Sequence, residues 1–318
     1  MSAKRIEMRL YYGTDNRYTD ITDLALKLCV LNNVLTIPAG DHERAALFGD
    51  PLANVLKNIK IEDDNGGGTV FFSHAQDITI SMIDTHITNP ITERRNQYWQ
   101  TLKQEQDPDK KLHAFHPLIR IDFGDIAGEY PEQKMAMIFV KENSKVLEIG
   151  GNIGRNSCVI AQILENSKNL VVLESNPRHV YELTANRDQN NFHFQIEPSA
   201  LSLKAMAQSG DNTIVSEIVP QGYFKINTIT WTELTAKYNI DFDTLVADCE
   251  GALYFILKDM PEMLTNIRTI VMENDYWNIN EKEGLDGIIR ANGFKRIYVQ
   301  SGGWGPCFDR FYEVWQKA

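Results

Sequence analysis

Residues 145–154, Lys-Val-Leu-Glu-Ile-Gly-Gly-Asn-Ile-Gly, leave this chain few choices of fold. The run at 145–149 reads as a buried strand, and the glycines at 150, 151 and 154 make a turn where side chains would obstruct close approach. A helix begins at once, with Val159, Ile160, Ile163 and Leu164 on one face. A second apolar run, 170–173, ends on Glu174. Strand, turn, helix, strand is the unit of a parallel sheet covered on both faces, because parallel neighbours need a long crossover. Further strands follow at 192–196, 244–247 and 269–272, and a helix over 132–140, opened by Pro131, precedes them. The expected architecture for residues 113–318 is an α/β Rossmann-like domain.

A nucleoside cofactor lies across the carboxyl ends of such strands, and an acid ~20 residues past the glycines can accept both ribose hydroxyls. Glu174 stands at that interval from Gly154. A nicotinamide dehydrogenase would show G-x-G-x-x-G, and the glycines at 150, 151 and 154 do not make that pattern. S-adenosylmethionine has no phosphate and brings a charged amino group that an acid can meet. Glu148, two residues before the first glycine, supplies the acid. The glycines alone would fit any strand-turn-helix; the two glutamates carry the cofactor reading.

Three motifs, Glu148-Ile-Gly-Gly-Asn-Ile-Gly154, Glu174-Ser-Asn-Pro177 and Phe242-Asp-Thr-Leu-Val-Ala-Asp-Cys-Glu-Gly-Ala252, together resemble the FkbM family of methyltransferases. Its members typically show acid-x-Gly-Ala-Asn-x-Gly, Glu-x-Asn-Pro and Asp-x-Glu-Gly-Ala-Glu in this order. The resemblance covers about residues 128–315 and is silent on what precedes them. It implies a class I methyltransferase fold and O-methylation, often of a sugar hydroxyl or a polyketide-type hydroxyl. It implies that Glu148, Gly150, Asn152 and Gly154 line the methionine and ribose side of the cofactor. Glu174 would take the ribose hydroxyls with Ser175 beside it, and Ser199 and Ala200 would lie by the adenine. Glu129 and Tyr130 would close over the methionine end, though Tyr130 serves equally well as a packing aromatic. Two departures stand out. Val246–Ala247 replace the family's usual Lys before the acid pair, and Leu253 replaces its final Glu.

Methyl transfer to a hydroxyl requires the acceptor oxygen ~3 Å from the methyl carbon. Its proton must leave to a base or be acidified by a metal. Asp248 and Glu250 follow one predicted strand, and Glu273, Asn274 and Asp275 follow the next. On neighbouring parallel strands these side chains would converge, which makes Asp248, Glu250 and Glu273 the candidate catalytic residues. Asp248, Glu273 and Asn274 would also suit Mg²⁺ or Mn²⁺, which take hard oxygen ligands, as in the similar-looking catechol-type methyltransferases. Otherwise the acids hydrogen-bond the cofactor amine and nearby backbone. Trp277, Trp304 and Tyr276 are either core residues or a face on which a sugar stacks.

Residues 1–87 read differently, as a small mainly-β domain for glycan binding or for association into a homo-oligomer. Short strands are expected at 6–12, 33–37, 58–62, 69–73 and 77–83, a short helix at 45–48, and a hairpin tip in Asp-Asp-Asn-Gly-Gly-Gly at 63–68. Residues 14–22 read as a solvated polar connection. A helical, charged linker is expected over 88–112, ending in the break Asp107-Pro-Asp-Lys-Lys111. With 43 acidic against 32 basic residues and a net charge of −11, neither nucleic acid nor an anionic membrane is an expected partner. Four scattered cysteines read as reduced thiols in a cytoplasmic protein. The expected acceptor is a sugar or glycan hydroxyl. The alternatives are a non-sugar small-molecule hydroxyl, or a methyltransferase fold that binds without catalysing.

Overall fold

A computed structural model describes residues 8–14, 17–31, 34–63, 68–81, 90–210 and 212–317. The chain divides into two units, Met1–Gln104 with Asp188–Asn191, and Glu105–Arg187 with Phe192–Ala318.

The first unit runs β1 (Met8–Thr14), β2 (Arg17–Asp20), α1 (Thr22–Leu28), β3 (Val30–Leu31), β4 (Val34–Ile37), α2 (Asp41–Phe48), β5 (Asn58–Asp63), β6 (Gly68–Phe72), β7 (Ile78–Ser81) and α3 (Pro90–Leu102). Two antiparallel sheets, β2-β1-β5-β6 and β3-β4-β7, bury Leu10, Tyr12, Leu35, Ile59, Ile61 and Ile78 in one core. Two buried cations hold its turns, as buried charge requires. Arg44 donates to the carbonyls of Pro38, Ser73 and Gln76. Lys57 reaches Asp41 at 2.9 Å and the carbonyls of Leu52 and Val55.

The stretch 14–22, expected as a connection, instead contains β2, whose Thr19 pairs with Tyr12 of β1. As an edge strand it exposes most of its side chains, so polar residues suffice. The helix expected at 45–48 starts already at Asp41. The Gly-rich tip, 64–67, lies outside the described residues, while β5 and β6 on either side pair antiparallel.

In the second unit the charged break is a helix start. Asp107 caps α4 (Pro108–Phe115), accepting from the backbone N–H groups of Asp109 (3.0 Å) and Lys110 (3.4 Å), with Pro108 where it costs no hydrogen bond. There follow α5 (Tyr130–Phe139), β8 (Val146–Ile149), α6 (Arg155–Ile163), β9 (Leu170–Leu173), α7 (Pro177–Gln189), β10 (Gln195–Glu197), β11 (Ala200–Leu201), β12 (Met206–Ser209), β13 (Asn212–Val215), β14 (Phe224–Ile226) and β15 (Thr228–Ile229). The unit closes with α8 (Trp231–Tyr238), β16 (Thr244–Ala247), α9 (Ala252–Asp259), β17 (Thr269–Glu273), α10 (Ile279–Ala291), β18 (Phe294–Gln300) and β19 (Tyr312–Lys317).

Seven of these strands form one sheet in the order β10-β9-β8-β16-β17-β19-β18, parallel from β10 to β17, with β19 antiparallel to both neighbours. This is a Rossmann-like α/β sheet, and its order reverses between β8 and β16. Open sheets of this kind bind ligands at that switch point, outside the carboxyl ends of the strands. Leu147 and Ile149, Leu245 and Ala247, and Ile270 and Met272 share one core with Leu253 and Leu257 of α9 and with Leu285 and Ile289 of α10. The alternate positions, Glu148, Val246, Val271 and Glu273, belong to the opposite face. There α5 packs against α6, β17 and β19. Among the described residues no helix is long and apolar enough to cross a membrane.

Candidate functional site

At the switch point β8 and β16 end against one another. A Cβ on Gly150, whose φ is +90°, would lie 1.6 Å from the carbonyl oxygen of Asp248. Only a residue without a side chain permits this approach. Gly154, at φ +89°, likewise starts α6 where a Cβ would lie 2.5 Å from Leu183 of α7. The protein's own packing thus accounts for these glycines, and the case for a ligand falls to the acids.

Glu174 follows β9 and is 8% exposed. Its Oε2 accepts from the backbone N–H of Asn152 (2.8 Å), a residue in the left-handed region, and its Oε1 from that of Asn176 (2.7 Å). Two turns therefore hold this carboxylate at the edge of the sheet. Burial raises its pKa, while the Asn176 N–H and His179 oppose the rise. Glu148 is more deeply buried. Its Oε1 accepts from Nδ2 of Asn156 (3.1 Å), whereas its Oε2 has no hydrogen-bond partner among the described residues. Burial pushes this carboxyl up to about 8.

Asp248 and Glu273 lie one step beyond the last residues at which β16 and β17 pair in parallel, Ala247 and Met272. The two strands are indeed parallel neighbours, so their acids meet. A third acid joins them from above. Glu132, in the first turn of α5, Asp248 and Glu273 offer carboxylate oxygens that all lie within 4.8 Å of one another. At an effective dielectric of 20, each ionised pair at that separation repels by about 3–4 kcal/mol. Accordingly Asp248 is held well above the carboxylate range, by burial and then by Glu129 and Glu132. Glu273 is likewise held above the carboxylate range, by burial and by its hydrogen bond with Glu132. Burial also raises Asp275. Tyr312, which pairs with Glu273 across β17 and β19, has its phenol raised by burial and by Glu132 and Glu273. The arrangement calls for positive charge, from protons or from a cation.

Glu132 and Tyr312 escape sequence reasoning. Glu132 did leave a signal: it precedes the buried Met135 and Ala136 by three and four residues, which puts an acid on the core face of its helix. Tyr312 left none, since only the antiparallel return of β19 brings it there.

The remaining candidates are dispersed. Glu129 accepts from Nη1 of Arg155 (2.9 Å) and from the Asn156 N–H (3.2 Å), which ties the start of α5 to the first turn of α6. Tyr130 is engaged with α4: its hydroxyl donates to Asp109 (2.9 Å) and its ring lies beside His113 and His116. The Ser175 hydroxyl donates to Gln208 of β12 (2.9 Å), and that of Ser199 to Glu197 (2.7 Å). Ala200 opens β11. Glu250 is exposed with φ +51°, in the sharp loop ahead of α9. Asn274 is fully buried; its Nδ2 donates to the Arg310 carbonyl (2.7 Å), and its Oδ1 has no partner among the described residues. Leu253 lies in the apolar core, so the position of the family's final glutamate faces inward here. Of the three aromatics, Tyr276 is core. Trp277 is 80% exposed and stacks on Trp304, with ring centroids 4.2 Å apart.

No family model matches this chain, and no curated protein matches it. Solved structures to which it is similar include the O-methyltransferase from Bacillus cereus in complex with SAH, at 14% identity, covering 73% of this chain and 92% of that one, with a TM-score of 0.38. The ribosomal protein L11 methylase from Lactobacillus delbrueckii subsp. bulgaricus is similar at 12% identity, 63% and 86% coverage and a TM-score of 0.40. An rRNA methylase from Streptococcus thermophilus is similar at 7% identity, 58% and 93% coverage and a TM-score of 0.39. These are distant likenesses, and the functional reading rests on the chain's own residues.

Proposed function

We propose that the second unit binds S-adenosylmethionine and moves its methyl group to a hydroxyl of a sugar or glycan. The observation that carries this reading is the pair of acids flanking the switch point. Glu174 is fixed by two backbone N–H groups at the end of β9, and Glu148 is buried with one oxygen that no described group satisfies. Leaving such an oxygen unpaired costs ~1–3 kcal/mol or more, which a ligand ammonium would relieve. Glu174 would take the ribose hydroxyls, and Glu148 the amino group. The three-motif likeness to the FkbM family supports the same assignment.

When bound, the cofactor supplies an electrophilic methyl carbon on a good leaving group. The chain's own part is to hold the acceptor oxygen in line and to accept its proton. Asp248 and Glu273, which follow the paired ends of neighbouring strands, would take that proton in their ionised form. A sugar acceptor is favoured by Trp277, exposed and stacked on Trp304 two residues after Asp275, since an aromatic face in water suits the CH face of a sugar ring.

Calorimetry should show binding of S-adenosylmethionine and its demethylated product and none of NAD. Glu174→Ala should weaken both by ~30–150-fold, about 2–3 kcal/mol for a lost charged acceptor. Absence of binding, or equal affinity for NAD, rejects the cofactor. A screen with labelled methyl groups against monosaccharides, nucleotide sugars, glycans and small phenols then decides the acceptor, and transfer to phenols alone rejects the sugar.

A further inference from the structure

We propose that Glu132, Asp248 and Glu273 together bind one divalent ion of the Mg²⁺ or Mn²⁺ class at the carboxyl edge of the sheet. The site itself stands on geometry; only the ion's role, acidifying the acceptor hydroxyl, rests on the proposed function.

Three separate elements deliver the ligands: the first turn of α5, the residue after β16 and the last residue of β17. Oxygens on an octahedral Mg²⁺ or Mn²⁺ at about 2.1 Å sit ~3 Å apart when adjacent and ~4.2 Å apart when opposite. The three carboxylates, mutually within 4.8 Å, need only rotamer adjustments to close on an ion. All the donors are hard oxygens and none is His or Cys, which points to Mg²⁺ or Mn²⁺ before Zn²⁺. Three protein ligands leave positions for water and for a substrate oxygen.

A second observation separates this cluster from an ordinary acidic surface. Glu132 is only 7% exposed, and its Oε2 has no hydrogen-bond partner among the described residues. This acid on the core face of a helix meets a further acid, Glu273, and leaves one of its own oxygens unsatisfied. Lys134 of α5 and Arg155 beside it are already paired, with Asp109 and with Glu129.

The rival occupant is a proton shared by Glu132 and Glu273, and the test discriminates the two. The full chain, stripped with chelator, is titrated with MnCl₂ while free Mn²⁺ is followed by electron paramagnetic resonance, with and without S-adenosylmethionine. One ion per chain is expected. Glu132→Gln and Glu273→Gln, which keep the side-chain shape, should each weaken binding by about tenfold or more, ~1.4 kcal/mol. Glu262→Gln, at an exposed position ahead of β17, should leave Mn²⁺ affinity unchanged, and circular dichroism checks that each variant is folded. No bound Mn²⁺ at millimolar concentration overturns the site in favour of the shared proton. Binding that both carboxamide variants retain overturns it in favour of an ion held elsewhere. Mn²⁺ bound without any cofactor binding supports the site and rejects the methyl-transfer role; cofactor bound without Mn²⁺ does the reverse.

Discussion

A carboxylic acid in the interior of a parallel strand is costly, and Glu148 is one. Its folded pKa of about 8 stands above the ordinary 4.5, so the folded state binds the proton more tightly than the unfolded chain. The stability this contributes is complete below about 4.5 and is lost as pH rises through 8. Glu148→Gln should therefore gain on the parent protein as pH rises from 5 to 8, by at most on the order of 4 kcal/mol. Thermal unfolding of both free proteins at the two pH values measures this. A difference that does not change with pH would mean that the carboxylate is solvated. The same variant should bind the cofactor more weakly, because it loses an anionic partner for the amino group.

Among the elements, α4 has more to do than its place after a charged run suggests. The Asp109 carboxylate accepts from the Tyr130 hydroxyl (2.9 Å) and from Lys134 Nζ (2.7 Å), so α4 clamps α5, the helix that carries Glu132. Asp107, as its cap, holds the first turn. Asp107→Ala should lower stability by ~1 kcal/mol, read as a shift in urea midpoint with an unchanged slope. A variant with the parental midpoint would show that the cap is dispensable and that tertiary contacts alone keep the turn. α9 teaches the complementary lesson: Leu253 packs against the sheet, so the acid that the motif leads one to expect there would have to be buried without a partner.

For the molecule as a whole, the second unit has its own core and contains every residue assigned to the cofactor and the ion. We propose that it is the catalytic domain in its own right. A fragment of residues 105–318, which keeps the Asp107 cap, should fold by circular dichroism and bind S-adenosylmethionine within about threefold of the full chain. A fragment that is unfolded, or folded and unable to bind, would show that the first unit is needed to complete the second.

Local signals determined a good deal of this protein. The alternation of apolar runs with helical faces, the glycine turn, and Glu148 and Glu174 placed by β8 and β9 can be read directly, since each depends on neighbours within a few residues. The parallel course of β16 and β17, which draws Asp248 and Glu273 together, followed from the same alternation. Only the tertiary structure decided what lies above and beside those acids. Glu132 reaches them because α5 crosses β17, and Tyr312 because β19 returns antiparallel, joining positions more than 100 and about 40 residues away in the chain. The aiming of Tyr130 at α4 and of Leu253 into the core were likewise settled by which face of a helix found the sheet. Periodicity states that a helix has a buried face; the order of the strands decides what that face meets.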